Sequence, residues 1–245
     1  MLVQPEGIGD DPYDRQVTQR ADSVSYLNVP QAGYCVRETI EAAEEPTYCY
    51  CYLPTVDAFS HEMGVAHPET DAQLGAICNA IEREIVGKLD PAVAEETLLI
   101  VTADHGEVDA TPETTIDLGT LDLETHLRRD EGGDPIPALG GPRNLQFHTR
   151  DGDREALRAD LETGLAPLDP LVLERETILD EGLFGDREPS ERFLERCPDL
   201  LAVPKKGFAW YDNGHLDNVG MHGGMHPDET LVPFAAARID TLQDD

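Results

Sequence analysis

The chain has 245 residues, enough to bury a full hydrophobic core in one or two domains. Its formal net charge of −32 argues against binding to a nucleic acid polymer or to an anionic membrane. Acidic residues occur along the whole chain, which predicts a surface adapted to a high-salt cytosol, since charge repulsion is screened within roughly 3 Å at 1 M salt.

Targeting and redox features are sparse. No apolar run reaches the roughly 18 residues of a transmembrane helix, and no signal peptide is recognisable, so a cytoplasmic location is expected. The cysteines are odd in number and lie in apolar or helical contexts, which favours core packing over disulfides or metal binding. They are Cys35, Cys49, Cys51, Cys78 and Cys197.

The first part of the chain predicts an α/β unit. The expected elements, in chain order, are an irregular segment at 1–24, a helix at 33–43, a strand at 47–53, a helix at 71–89 and a strand at 97–102. Thr70 or Asp71 is expected to cap the long helix. A strand–helix–strand succession implies parallel strands and a right-handed crossover, so both strands end at one edge of a sheet.

The second part predicts shorter elements. They are a helix near 118–129, a strand at 144–148, a helix at 153–165, and short strands at 171–173, 200–203, 208–211 and 231–236. The expected organisation is an irregular segment 1–24, a metal-binding α/β core 25–137, a smaller α+β insertion 138–200, and a return to the core at 201–245. The fold class expected is therefore α/β, with a mostly parallel central sheet flanked by helices.

Two Asp/His pairs directly follow predicted strands. Asp104 and His105 follow the strand at 97–102, and Gly106 allows the backbone to turn tightly. Asp57 and His61 follow the strand at 47–53, with the i,i+4 spacing that places both side chains on one helical face. Since ligands bind at the carboxyl edge of open α/β sheets, these residues predict a metal site there.

A third histidine lies far downstream in a glycine-rich loop, Gly220–Glu229. The glycines around His222 allow the backbone to approach a site closely. His226 and His215 are weighed as hydrogen-bond donors behind the ligands or as solvent-facing loop residues. Glu229 is expected to stabilise the fold rather than to act in catalysis. Arg143 is weighed as a contact for substrate phosphate, with a solvated surface charge as the default.

Three blocks in this order resemble the type I phosphodiesterase/nucleotide pyrophosphatase family of the alkaline phosphatase superfamily. They are Tyr52–Gly64 (Tyr-x-Pro-x-x-Asp-x-x-x-His-x-x-Gly), Thr102–Gly106 (Thr-x-Asp-His-Gly) and His222–Pro233 (His-Gly-Gly, then Glu and Val-Pro). Glu181–Gly185 also resembles a segment of the family's prokaryotic branch.

The resemblance implies an alkaline-phosphatase-like fold holding two divalent metal ions, zinc first, with manganese or iron as alternatives. It also implies that Asp57, His61 and His222 form one metal site, and that Asp104 and His105 contribute to the other.

In the family, an N-terminal portion carries an apolar strand, an Asp-Gly and the catalytic Thr or Ser nucleophile. This sequence is expected to lack that portion. Nothing before Asp57 fits it, and Gly7–Asp11, the nearest candidate, is expected to lack a preceding strand. The chain therefore resembles the C-terminal part of such an enzyme, truncated at the N-terminus. A misplaced gene start, a shortened gene, or a second chain that supplies the missing half would each account for this.

The leading functional hypothesis is hydrolysis of phosphodiester or nucleotide pyrophosphate bonds, with a small phosphate ester or nucleotide as substrate. The alternatives are a hydrolase of phosphomonoesters, phosphonates or sulfate esters in the same superfamily, and a catalytically silent metal-binding fragment. A missing half would expose apolar surface, so pairing with that half or with a second copy of the chain is expected.

Overall fold

The structure is a computed structural model that describes residues 1–8, 16, 18, 21–212 and 216–243. They divide into two compact units. The first consists of Met1–Phe59, Ala66–Ala103 and Pro233–Asp245, and the second of Ser60–Val65 and Asp104–Val232. These boundaries differ from the four segments expected from the sequence, because the C-terminal strand pairs within the first unit and the end of the His61 helix belongs to the second.

The strands of the first unit form one parallel and one antiparallel sheet. With strands labelled in chain order, they are β1 (Leu2–Pro5), β2 (Ser23–Tyr26), β3 (Tyr50–Cys51), β4 (Leu98–Thr102) and β13 (Phe234–Arg238). β1 lies between β2 and β3 and is parallel to both. β4 pairs with β13 antiparallel, so the expected pairing of the strands at 47–53 and 97–102 is replaced by two separate pairings.

The N-terminal segment is more regular than the sequence indicates. Leu2–Pro5 forms the middle strand of the parallel sheet, and Val3 is completely buried. Two strongly apolar residues are too few to show the periodicity of a strand. The strand forms because β2 and β3, later in the chain, pair with it. The strand expected to be lacking before Gly7 is therefore present as β1, while Gly9–Asp11 lie outside the described residues.

The helices of the first unit begin earlier than predicted. They are α1 (Val29–Glu41), the start of α2 (Thr55–Met63), α3 (Pro68–Ala80), which continues as a π-helical turn (Ile81–Val86), α4 (Pro91–Ala94) and α9 (Ile239–Gln243). The cap of α3 is His67, not Thr70 or Asp71, because the His67 ring accepts a hydrogen bond from the N–H of Glu69 and Pro68 suits the first helical turn.

The core of the first unit packs α1, the π-helical turn and the parallel sheet together. Val3, Ala32, Val36, Ile85 and Leu89 are among its buried residues. All five cysteines are free thiols, and Cys35, Cys49 and Cys51 belong to or pack against this core. The expected core packing is wrong for Cys78, which is exposed on α3. Burial raises the pKa of the Cys51 thiol to about 12, which keeps it protonated and suits a packing role.

The β4–β13 sheet exposes apolar side chains. Leu98, Ile100 and Phe234 are among the exposed large hydrophobic residues, and Phe234 is 73% exposed. None of the described helices is long and apolar enough to cross a membrane.

The second unit contains most of the short strands. They are β5 (Val108–Asp109), β6 (Thr115–Asp117), β7 (Leu139–Gly141), β8 (Asn144–Phe147), β9 (Leu171–Glu174), β10 (Leu200–Val203), β11 (Phe208–Trp210) and β12 (Gly220–Met221). Antiparallel pairing gives a four-stranded sheet in the order β7-β8-β10-β9, while β11 pairs with β6 and β12 with β5.

The second unit also contains α-helices. They are α5 (Arg154–Gly164), α6 (Arg175–Asp180), α7 (Glu191–Arg196) and α8 (Pro227–Thr230). The helix predicted at 153–165 is confirmed: Leu157, Leu161 and Leu165 recur at helical spacing and are completely buried in the main core of the unit. The α+β insertion expected at 138–200 covers much of this region, and its status as a separate subdomain stays a prediction.

The helix predicted near 118–129 is wrong. Only a 3₁₀ turn, Leu118–Thr120, forms there. The Asp117 side chain accepts a hydrogen bond from the N–H of Gly119, and the Thr120 hydroxyl donates to the Asp117 carbonyl. Such local hydrogen bonds compete with a helix, so Leu123 and Leu127 reach the core from irregular backbone instead.

Candidate functional site

Three ligand-type side chains of the second unit converge from different segments. His61 lies on the last turns of α2, Glu107 lies just before β5, and His222 follows β12. The ligand atoms of these three residues all lie within 4.8 Å of one another. His61 Nε2 is 3.6 Å from Glu107 Oε1, and the His61 and His222 ring centroids are 5.2 Å apart.

Backbone contacts hold His61 in a defined orientation. Its Nδ1 lies 2.8 Å from the carbonyl oxygen of Gly220, and the N–H of Val219 donates to the His61 carbonyl at 2.7 Å. A carbonyl oxygen only accepts hydrogen bonds, so this contact requires a proton on Nδ1 and leaves Nε2 as the ring atom available to a metal ion. Nε2 is the atom that faces Glu107. A proton on Nδ1 is the tautomer with which a histidine binds a metal ion through Nε2.

Two glycines permit the close approach of backbone at the cluster. A Cβ atom added to Gly220 would lie 2.4 Å from the Ser60 carbonyl oxygen and 2.9 Å from Glu107 Oε2. One added to Gly106 would lie 2.1 Å from the Asp228 carbonyl oxygen. Real side chains do not tolerate such distances, so glycine is required at both positions for the ligand-bearing loops to meet.

His105 lies beside the cluster, and the exposed Asp104 carboxylate lies 3.7 Å from His105 Nε2. The His105 ring stacks on the His222 ring with centroids 3.6 Å apart and planes inclined by 10°. The Asp104 side chain is 73% exposed, and its Oδ1 accepts a hydrogen bond from the N–H of His105. Of the two metal sites that the resemblance implies, the structure brings together His61 and His222 of the first with His105 of the second.

Asp57 lies one helical turn before His61 on α2. The helix confirms the i,i+4 relation expected from the sequence, so the two side chains share a face. Asp57 belongs to the part of α2 that lies in the first unit.

Glu107 is the residue that the sequence analysis missed. The Asp-His-Gly motif indicates the two residues before Gly106 as ligands and does not include Glu107. Its side chain is 6% exposed, which is unusual for a carboxylate and is a property that only the structure provides. The available signal was weak: an acidic residue directly after a glycine turn, in a segment already suspected of binding metal.

The His222 loop rests on a buried ion pair. Arg143 donates from Nε and Nη2 to the two carboxylate oxygens of Glu229, each at 2.6 Å, and both side chains are at most 1% exposed. Burial raises the pKa of Glu229, whereas hydrogen bonds from Arg143 and from the N–H of Gly224 lower it. The lowering is the larger effect, so the pKa of Glu229 lies below its usual value. Glu229 therefore stabilises the fold as expected, whereas the expectation that Arg143 is a solvated surface charge is wrong.

His226 and His148 have other environments. His226 caps α8: its Nδ1 accepts a hydrogen bond from the N–H of Asp228, and its side chain is 40% exposed. His215 lies outside the described residues. His148 is 5% exposed, and burial lowers its pKa, which suits a neutral structural histidine. The partial exposure of His226 fits a solvent-facing loop residue, and His215 stays untested.

The donor set of the cluster is suited to a divalent metal ion. Two imidazole nitrogens and one carboxylate oxygen are the ligands that zinc, manganese and iron accept in proteins. The tautomer of His61 and the space left by Gly220 both agree with a cation among these side chains. The chain's own residues thus fit a metal centre in the second unit.

A sequence model of the type I phosphodiesterase/nucleotide pyrophosphatase family matches residues 4–226. No curated protein sequence matches the chain significantly. The family match includes His61, Glu107 and His222, and it begins within β1.

Several solved structures share the fold. Mouse ectonucleotide pyrophosphatase/phosphodiesterase 5 is 16% identical with a TM-score of 0.59, and the human protein is 17% identical with the same TM-score. In both cases 96% of this chain matches 59% of the other, so the chain spans about three fifths of their length. A further structure is that of an inactive variant of the mouse protein in complex with AMP.

A bacterial enzyme is also similar. Phosphonoacetate hydrolase from Sinorhizobium meliloti 1021, in complex with phosphonoformate, is 18% identical with a TM-score of 0.52, and 85% of this chain matches 50% of the enzyme. At these identities the likeness concerns the fold. The expected α/β, alkaline-phosphatase-like fold class is confirmed.

Proposed function

Because the chain belongs to the type I phosphodiesterase/nucleotide pyrophosphatase family, we propose that it is a metal-dependent hydrolase of phosphodiester or nucleotide pyrophosphate bonds. The observation that carries the proposal is the convergence of His61, Glu107 and His222 from three segments of the second unit. Metal-binding residue types meeting in this way are typical of a catalytic centre.

The metal content proposed is two divalent ions, zinc first, with manganese or iron as alternatives. His61, His222 and Glu107 would hold one ion in the second unit. Asp57 is retained as the further ligand of this ion that the family resemblance implies. Asp104 and His105 contribute to the second. His105 supports this assignment, since its Nδ1 lies 3.1 Å from the Gly106 carbonyl oxygen, which leaves Nε2 as the ring atom available to a metal ion.

The protein residues orient the ligands and offset the charge of the cations. Bound ions of this type supply positive charge that polarises a phosphoryl group and lowers the pKa of an attacking oxygen. Such charge is needed here because the chain itself carries −32 and would repel an anionic substrate. Glu107, 94% buried, offsets part of the added charge, and the backbone bonds of His61 fix the direction of its ligand atom.

The substrate class proposed is a small phosphate diester or a nucleotide. The AMP complex of the mouse relative's inactive variant supports a nucleotide. The second candidate is phosphonate hydrolysis, which is favoured by the fold likeness to phosphonoacetate hydrolase. Both candidates need the same metal cluster, so they differ only in the leaving group that the surrounding loops accept.

The test combines metal analysis with a panel of substrates. The chain, purified in high salt, is dialysed, analysed for bound zinc, and assayed with a nitrophenyl nucleotide diester, a nitrophenyl monoester and phosphonoacetate. The same measurements are made on His222→Ala and on His226→Ala, which is the matched control because His226 caps α8 and is partly exposed.

Bound zinc and diester hydrolysis that are both lost in His222→Ala but retained in His226→Ala would support the proposal. Preference for phosphonoacetate would favour the second candidate. Bound zinc without turnover of any substrate would point to a catalytically silent metal-binding protein. A folded chain that binds no zinc, manganese or iron would contradict the proposal.

A further inference from the structure

The geometry around Glu229 points to a further role for the buried ion pair. We propose that Arg143 and Glu229 act together as positioning residues that hold the two ligand-bearing loops, around Glu107 and His222, in the arrangement that binds metal. The inference rests on the proposed metal-dependent function. It assigns no contact with substrate or metal to either residue.

The Glu229 carboxylate organises the loop that follows His222. Besides its two bonds from Arg143, it accepts a hydrogen bond from the N–H of Gly224 at 2.8 Å and one from the N–H of His226 at 3.0 Å. The loop is thus wrapped around the carboxylate within four residues of His222. Charge-assisted bonds of this kind are shorter and stronger than neutral ones, so they restrict the conformations of the loop.

The main chain of the same residue holds the other loop. The N–H of Gly106, which directly precedes Glu107, donates to the Glu229 carbonyl at 2.9 Å. The side chain of Glu229 therefore fixes the His222 loop, and its carbonyl fixes the Glu107 loop. A displacement of Glu229 would move two of the three ligands relative to His61.

Arg143 connects Glu229 to the rigid part of the unit. It lies in the turn between β7 and β8, in the four-stranded sheet, and its Nη1 donates to the Gly207 carbonyl. Gly224 lies directly on the guanidinium: an added Cβ would be 3.1 Å from both Nε and Nη2 of Arg143. The guanidinium fork thus presents the carboxylate to the loop at a fixed place.

Stability alone does not require this arrangement. Apolar residues of similar volume replace a buried ion pair without loss in many proteins, so a pair with additional, directed bonds to a ligand loop implies a positional role. Groups that orient metal ligands typically change metal affinity about 10–100-fold when they are mutated. We expect the same range for Glu229.

The experiment measures zinc affinity and loop order in parallel. Zinc affinity is determined by competition with a chromogenic chelator for the full chain and for Glu229→Gln, Arg143→Lys and Leu157→Ala. Leu157 is completely buried in the main core and lies in α5, so its truncation destabilises the second unit without touching either loop. Hydrogen exchange of the peptide that contains Gly224 and His226 is followed in the metal-free proteins.

The expected result is a loss of zinc affinity of about 10–100-fold in Glu229→Gln, a smaller loss in Arg143→Lys, and unchanged affinity in Leu157→Ala. The loop amides should exchange faster in Glu229→Gln than in Leu157→Ala. Unchanged zinc affinity in Glu229→Gln, or an equal loss in Leu157→Ala, would overturn the inference.

If the unmodified chain binds no zinc, the proposed function fails, and hydrogen exchange decides separately on loop positioning. Faster exchange confined to the loop in Glu229→Gln would then support the positioning role. Exchange equal to that of Leu157→Ala would overturn it.

Discussion

Replacement of Arg143 by Met should destabilise the second unit by about 3–5 kcal/mol, because it leaves the Glu229 carboxylate buried without its cation. A surface ion pair would cost at most about 1 kcal/mol. For a chain of this size the larger loss lowers the melting temperature by about 6–20 °C. The double variant, Arg143→Met/Glu229→Gln, should recover much of the lost stability because it removes the uncompensated charge.

The loss should also depend on pH in a defined direction. In the unmodified chain the pKa of Glu229 is lowered, so its contribution is present above the pKa of the unfolded state and is lost as the pH falls through the folded value. Without Arg143, burial is left as the main influence and raises the pKa of Glu229. The loss of stability in Arg143→Met is then largest near neutral pH and shrinks as acid protonates the Glu229 carboxyl. The unfolding free energies of the variant and the unmodified chain should therefore converge on acidification.

The assay is urea denaturation followed by tryptophan fluorescence. Trp210 is the single tryptophan of the chain and packs against the main core of the second unit, so its signal reports the unit that contains the ion pair. Unfolding free energies are compared at about pH 7 and about pH 5, a range in which buried carboxylates titrate. A loss below about 1 kcal/mol at neutral pH, or a gap that widens in acid, would refute the reasoning.

Three further predictions follow from composition and packing. Raising the salt concentration from about 0.15 M to about 1 M should raise the melting temperature, since the charge of −32 is screened, and a fall would contradict a salt-adapted surface. Gly220→Ala should weaken zinc binding, because its Cβ would meet the Ser60 carbonyl, whereas the control Gly75→Ala, with open space around its Cβ, should not. Leu157→Ala should cost about 2–5 kcal/mol in urea denaturation, and a loss below about 1 kcal/mol would place Leu157 outside a packed core.

Elements that carry their own periodicity could be predicted. The leucines of α5 recur at helical spacing, and the apolar run before Asp104 gives β4, so both are recognisable locally. The short strand β1 and the irregular backbone at Leu123 and Leu127 were mispredicted, because their conformations depend on pairing partners and side-chain bonds elsewhere in the chain. Local patterns do not encode such partners.

The same division applies to the site. The sequence by itself determined the family, through ordered motifs around His61, His105 and His222, since ligand chemistry restricts both residue type and spacing. Only the tertiary structure decided that Glu107 joins His61 and His222, because convergence of three separate segments depends on β12 and on two glycine contacts.

Tertiary structure likewise decided that Arg143 is a buried partner of Glu229 rather than a surface charge. The sequence specifies the residue type of Arg143 and its charge. Burial is a property of the packed chain, and it determines whether an arginine in a strongly acidic protein faces solvent or supports a loop of the candidate metal site.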